Sequence, residues 1–343
     1  MICLSICRLK IIYMDEDNHD FLPKYLVPSH NLCFLNHDIL VKLLCAWEEA
    51  GISLQKFTFY DDNDRQEFNC ANDVFDWLEN TGRESERSEF LKKVVFPALL
   101  SDFLHFIYEA LVNSRKAKLN VTYALLRKPI QENLFLLEII ATDPDLFSSY
   151  LIENPLMLRA EKAGGLEVHT KRILNVLRVI QEEHRFDAQY LAQLRYAKTE
   201  DGFDGICNHA IHLFTEHKNI RTEPLNINFI FSGEYEELTQ WYFLYSRLPY
   251  ILFYARRLVE YVCSTFVKTD PNYLANIERR LMAATLLWAT NIEETYQHPK
   301  IDQFVEATRL QLEQECISYG YRKPNVKDLI HMQEYGTFPD ENI

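Results

Sequence analysis

The chain has 343 residues, 48% of them apolar and 25% charged, an ordinary globular composition with length for one large domain or two to three small ones. A formal net charge of −14 repels phosphate backbones and argues against a broad, non-specific nucleic-acid binder, although a local basic groove remains compatible with it. Nine glycines, with neither GxGxxG nor GxxxxGKS/T among them, argue against a glycine-rich phosphate loop.

The opening residues, MICLSICRLKIIY, have the look of a weak signal peptide. Arg8 and Lys10 interrupt the apolar stretch, however, and no small-residue cleavage site follows. Met14 begins a polar segment, so residues 1–13 are expected to be an upstream extension, with translation starting at Met14. Residues 14–84 are expected to form an N-terminal subdomain. Within it, 36–50 shows helical spacing with Asn36 as cap and Gly51 as stop. LQKFTFYDD alternates like a short strand, and CANDVFDWLENTG reads as a short helix ending at Gly82.

Residues 85–298 are expected to be the main helical bundle. SERSEFLKKVVFPALLSDFLHFIYEALVNSRK carries a dense apolar stripe, with Ser85 and Ser88 as cap candidates. NVTYALLRKPIQENLFLLEIIATD follows, then a loop with Pro144 and Pro155, then a long helix or pair of helices over 166–198. Gly202 and Gly205 punctuate a turn before the segment CNHAIHLFTEHKNIRTE. EPLNINFIF alternates and is a second strand candidate, which would pair with KFTFY as a small β-ribbon. Helices are expected over 235–269 and 271–297, with Pro271 near the first helical position. Residues 299–343 are read as a last helix and a polar tail. The fold class expected is mainly α: an up-and-down bundle with kinked long helices and at most a small β-ribbon.

Pro97, Pro129 and Pro249 each interrupt an apolar helical pattern, where proline costs about 3 kcal/mol in a helix interior. Either each marks a boundary between two shorter helices in line, or long helices kink around a shared cavity. The most apolar region, LPYILFYARRLVEYVCSTFV, is broken by Arg256, Arg257 and Glu260, so no membrane span is expected. The eight cysteines show no CxxC pair and no zinc-ribbon spacing. Several, such as Cys45 and Cys263, fall in apolar helical contexts. Free buried thiols in a reducing cytoplasm are the expectation.

Three of the eleven histidines lie within nine residues, at 209, 212 and 217. On a helix, Ile206, Ala210, Leu213, Phe214 and His217 would form the buried face, with His217 suited to the C-terminal dipole. His209, His212 and Glu216 would share a flanking stripe able to touch one ion or one substrate phosphate. Ordinary boundary residues, a polar catalytic group and a metal site are all open readings. A metal would need a further ligand that the sequence does not identify, so no metal and no cofactor are expected. Arg178 and His184 have the R-x5-H spacing of HEPN ribonucleases, a cation for a phosphorane and an imidazole for proton transfer. Arg178 is followed by Val179, where that motif usually has a polar residue. Arg127, Glu132 and Glu138 interrupt an apolar run and must be paired or face solvent. No GxSxG elbow or HxE…PCxxC deaminase pattern is present.

The order of NVTYALLRKPIQENLFLLEIIATD, a long helix ending YLAQLRYA, a histidine-bearing segment and another long helix resembles a bacterial family of HEPN-like helical proteins of unknown function. Arg127, Glu132, Tyr190 and His209 or His212 are the matching positions, across about 100–270. The spacing from Tyr190 to the first histidine exceeds that family's pattern. The resemblance implies an up-and-down bundle, dimeric, with a role in defence or toxin systems. The function expected is a soluble, cytoplasmic interaction or assembly module with a homo-oligomeric or protein partner. The alternative is a HEPN-like ribonuclease or nucleotide-handling enzyme, with RNA as partner only in that case.

Overall fold

A helix that is apolar nearly all round is stable only inside a protein. α11 (Glu234–Ser264) is such a helix, and from Trp241 to Val262 most of its side chains are buried. The computed structural model describes residues 20–230 and 232–341. The expected extension at 1–13 and the start at Met14 lie outside the described residues. Among the described residues there is no strand, and the fold is a mainly α, multi-helix bundle.

α1 (Val27–Glu49) packs against α11, against α4 (Glu84–Arg115) and against α12 (Pro271–Ala289). Its residues Leu32, Cys33, Ile39, Leu40 and Trp47 enter the same core as Phe103, Leu248 and Phe304. A boundary at residue 84 therefore cuts across one core. Asn36 does not cap this helix. It lies inside it, its amide donating to the Leu32 carbonyl one turn back at 3.0 Å. His30 Nδ1, the Tyr245 hydroxyl and the Ser114 hydroxyl form a buried chain linking α1, α11 and α4, with steps of 2.7 and 2.6 Å.

Residues 54–83 build a smaller module from α2 (Asp62–Cys70) and α3 (Val74–Asn80). LQKFTFYDD is extended but has no partner strand. Phe57 and Phe59 pack their rings on the buried Trp77, while Arg83 donates to the Thr58 carbonyl and pairs with Asp64. The alternation thus records one face pressed on an indole, and an arginine satisfies the backbone in place of a sheet. Residues 223–230 likewise hold turns and irregular backbone, so the expected ribbon does not form among the described residues.

α5 (Leu119–Lys128) leads through Pro129–Asn133 into α6 (Leu134–Thr142), followed by α7 (Pro144–Glu153), α8 (Leu166–Val179), α9 (Ala188–Tyr196) and α10 (Phe203–Ile211). α4 and α11 run unbroken through Pro97 and Pro249, which corrects the expectation of helix boundaries there. By length and composition α4 is apolar enough to cross a membrane, and it also supplies Phe96, Leu100, Phe103, Ile107 and Leu111 to the core. Cys33, Cys207 and Cys316 are buried, whereas Cys45 is exposed, contrary to its apolar context.

α13 (Pro299–Ser318) is followed by α14 (Val326–Tyr335), so the C-terminal stretch is not merely a polar tail. α14 opens with a capping box between Asn325 and Asp328 and ends at Gly336 in the left-handed region. Met332 and Phe338 join Met282, Leu312 and Cys316 in a second, smaller core.

Candidate functional site

Proline at 129 cannot donate a backbone hydrogen bond, and the chain there widens into a π-turn over Pro129–Asn133. Two carbonyls of the turn are met by side chains. Arg195 Nε donates to the Ile130 carbonyl at 2.8 Å, and the Tyr196 hydroxyl donates to the Gln131 carbonyl at 3.2 Å. Gln131 returns its amide to the Arg195 carbonyl at 2.9 Å and to Asp204 Oδ1 at 2.8 Å, tying α10 to the turn. Glu132 accepts the Ala160 N–H at 3.0 Å, drawing the 155–163 segment over it.

Glu138 sits one turn beyond, fully buried at 0% exposure. Its carboxylate pairs with Arg195, also 0% exposed, and with Arg172 at 2.9 Å, and accepts from the Tyr254 hydroxyl at 2.7 Å. Burial alone would raise its pKa, but the two guanidinium groups and the tyrosine outweigh that and hold it below the usual range. His169 stacks on Tyr196 with ring centres 3.8 Å apart, and its Nδ1 accepts from Arg172 at 2.7 Å. Desolvation, then Arg172 and Arg195, lower it to about 4, so the ring is neutral. Of the charges in this run, expected to be paired or to face solvent, Glu138 is paired and half-buried Glu132 is met by a backbone N–H. Arg127 faces solvent at the end of α5 and makes no ion pair among the described residues.

The histidine segment is not one helix. α10 stops at Ile211, and His212 is its C-terminal cap residue, in extended backbone. Leu213 and Phe214, expected to be buried, are exposed, and so are His212, Glu216 and His217. Helix formation loses here to side-chain bonding with the backbone. Thr215 and Thr222 exchange contacts, and Asn228 donates to the His212 carbonyl at 2.8 Å and accepts from Thr222 at 2.8 Å. His209 alone of the expected stripe remains on α10. Its Nε2 donates to the Ile220 carbonyl, which fixes that nitrogen as the protonated one and spends it on the loop. His209, His212 and Glu216 thus do not share a stripe.

This loop encloses a cleft of about 610 Å³ lined by His209, Arg221, Asn226, Asn228 and Glu236, among others, with Arg127 not on its wall. The loop presents Leu213, Phe214, Leu225, Ile230 and Tyr235 to solvent. Leu225 is fully exposed, at 103%, and sits at φ +65°, a conformation that costs a non-glycine residue about 1 kcal/mol or more.

The second pair does not share a helix. α8 ends at Val179, and Gln181, at φ +59°, turns the chain between Arg178 and His184. Both are exposed, and Arg178 pairs with Glu183 at 3.1 Å. Tyr190 stacks on His298, not on His209 or His212, with ring centres 4.0 Å apart. Among the described residues no group of three or more His, Cys, Asp or Glu is placed to hold a metal. Sequence reasoning missed Arg195, Arg172 and Tyr254. Arg195 and Tyr254 each lie in a largely buried helix, where a guanidinium or hydroxyl needs a partner.

No protein-family model matches the chain, and comparison with curated proteins and with solved structures also yields no match.

Proposed function

We propose that this protein is a non-catalytic helical interaction module that pairs with a second copy of itself through the 211–235 surface. The observation that carries the reading is Leu225: fully exposed and held at positive φ, it is unfavourable twice over for the isolated chain. Glycine or asparagine would fill that conformation at less cost. Ile211, Leu213, Phe214, Ile230 and Tyr235 extend the exposed apolar surface around it, and such surfaces mark association sites.

A second copy suits the charges. Lys218 and Arg221 stand exposed with no ion pair among the described residues, and so does Glu234. Both signs on one patch make it self-complementary, as a two-fold interface requires. The ribonuclease alternative draws no support from the site: Arg127 is off the cleft, and His209 Nε2 is occupied by Ile220.

Sedimentation velocity across a concentration series tests the reading. A reversible dimer is expected, converted to monomer by Phe214→Asp with Leu225→Asp. A chain that stays monomeric at its highest soluble concentration sinks the idea. So does RNA fragmentation in expressing cells that His209→Ala with His212→Ala abolishes.

A further inference from the structure

A second group of buried charges lies away from the π-turn, between the C-terminal half of α11, the start of α12 and the turn after α8. Glu182 pairs with Arg185 at 2.9 Å and with Arg257. Arg185 reaches Glu278 at 2.8 Å, and Glu278 pairs with Arg256 at 2.6 Å. Arg256 pairs with Glu260, and Glu260 pairs with Arg257 at 2.9 Å. The six residues close a ring in which arginine and glutamate alternate, each touching two of the opposite sign. Its net charge is zero.

One side of the ring forms the floor of a cleft of about 650 Å³, within the range of small-molecule sites. Leu43, Ile180, Val267 and Leu274 are among its walls, and its charged lining residues are Arg256, Arg257, Glu260, Glu278 and Lys268. The two carboxylates are each already held by two guanidinium groups. Away from the cleft, Glu182 Oε2 and Arg185 Nε and Nη1 also lack hydrogen-bond partners, but among the lining residues two cationic groups are not matched in this way. Arg256 Nε is buried without a hydrogen-bond partner, and Lys268 is exposed on the rim and makes no ion pair among the described residues. The unmet demand in the cleft is therefore for an acceptor of negative charge, against walls that favour an apolar body.

We propose that this cleft binds a small amphiphilic organic acid, one anionic head on an aliphatic chain, with the head toward Arg256 and Lys268 and the chain along Leu43, Ile180 and Leu274. The ring acts as a neutral, rigid base for the head. It prevents the glutamates from repelling an anion while leaving one arginine nitrogen to receive it.

Isothermal titration of the full chain with sodium octanoate tests this, with octanol and octylammonium chloride as probes of equal chain length. Saturable one-to-one binding of octanoate is expected, with both other probes weaker by about tenfold or more. Lys268→Glu, an exposed rim change away from the ring, is expected to weaken octanoate by about tenfold. Ala275→Trp, which fills the cleft, is expected to abolish binding, with unchanged circular dichroism as the check on folding. Absence of saturable octanoate binding overturns the proposal. Equal affinity for octanol overturns it also, since apolar partition alone would then suffice. Unaltered octanoate affinity in Lys268→Glu overturns it whether or not Ala275→Trp folds.

Discussion

The two buried charge centres use the same residue types to different ends. At Glu138 a single carboxylate gathers two arginines and a tyrosine, and the surplus donors go to carbonyls of the π-turn. In the ring, three carboxylates and three arginines pair with one another, yet Glu182 Oε2, Arg185 Nε and Nη1 and Arg256 Nε lack hydrogen bonds, and Arg256 among these residues lines an open cleft. The first centre is sealed and holds backbone in place. The second is balanced in charge but incomplete in hydrogen bonding. Buried ion pairs therefore need to be judged by where their spare valences point, not by their number.

Breaking each centre by one charge should separate them most. Glu138→Gln leaves buried Arg195 and half-buried Arg172 without a counter-ion, and a loss of about 3–5 kcal/mol is expected in urea unfolding. Adding Arg195→Met should recover part of that loss, because the uncompensated charge is removed. An equal or smaller loss than that of a ring variant would overturn the distinction.

Acid should act next. His30 lies at about 4, lowered by desolvation and then by Arg115, and His169 lies at about 4 for the reasons given above. Both fall below the unfolded value near 6.5, so the unfolded chain binds more protons between about pH 6.5 and 4. Stability is thus full above about 6.5 and declines as pH falls through that window, by on the order of 3 kcal/mol for the buried His30. Urea midpoints taken across the window check this, and a His169→Phe variant should flatten the His169 share of the slope.

Glu260→Gln in the ring should cost less than Glu138→Gln, about 1–2 kcal/mol, because its partner Arg257, 30% exposed, lets water reach the broken pair. The smallest effect belongs to the surface: Leu225→Asn should leave monomer stability within about 0.5 kcal/mol or raise it slightly, since asparagine tolerates positive φ. The same variant should weaken self-association, which equilibrium sedimentation would register.

Much of the helical plan was legible in the sequence. Pro271 does start α12, α3 does stop just before Gly82, and 166–198 does divide into two helices. Periodicity reports burial, and most of this chain is buried on one face of a helix. It failed where something other than periodicity set the backbone. The histidine segment keeps an apolar 3.6 pattern past Ile211, yet Thr215, Thr222 and Asn228 offer the chain a competing set of hydrogen bonds. In KFTFY the period of two was real, but its partner was an indole. Glu138 was recognisable as a charge needing a partner. Its partners were not, because Arg195 and Arg172 lie far along the chain and only packing brings them in.

The π-turn at Pro129–Asn133 also sets the rotational phase of everything after it. One residue fewer would restore an ordinary helix from α5 into α6, a gain in local regularity, but would rotate the following residues by about 100°. Glu138 would swing off Arg195, and an apolar neighbour would face two guanidinium groups. The local irregularity works as a gear offset: a helix that is less regular by one residue lets a charge on α6 mesh with two others more than thirty positions away.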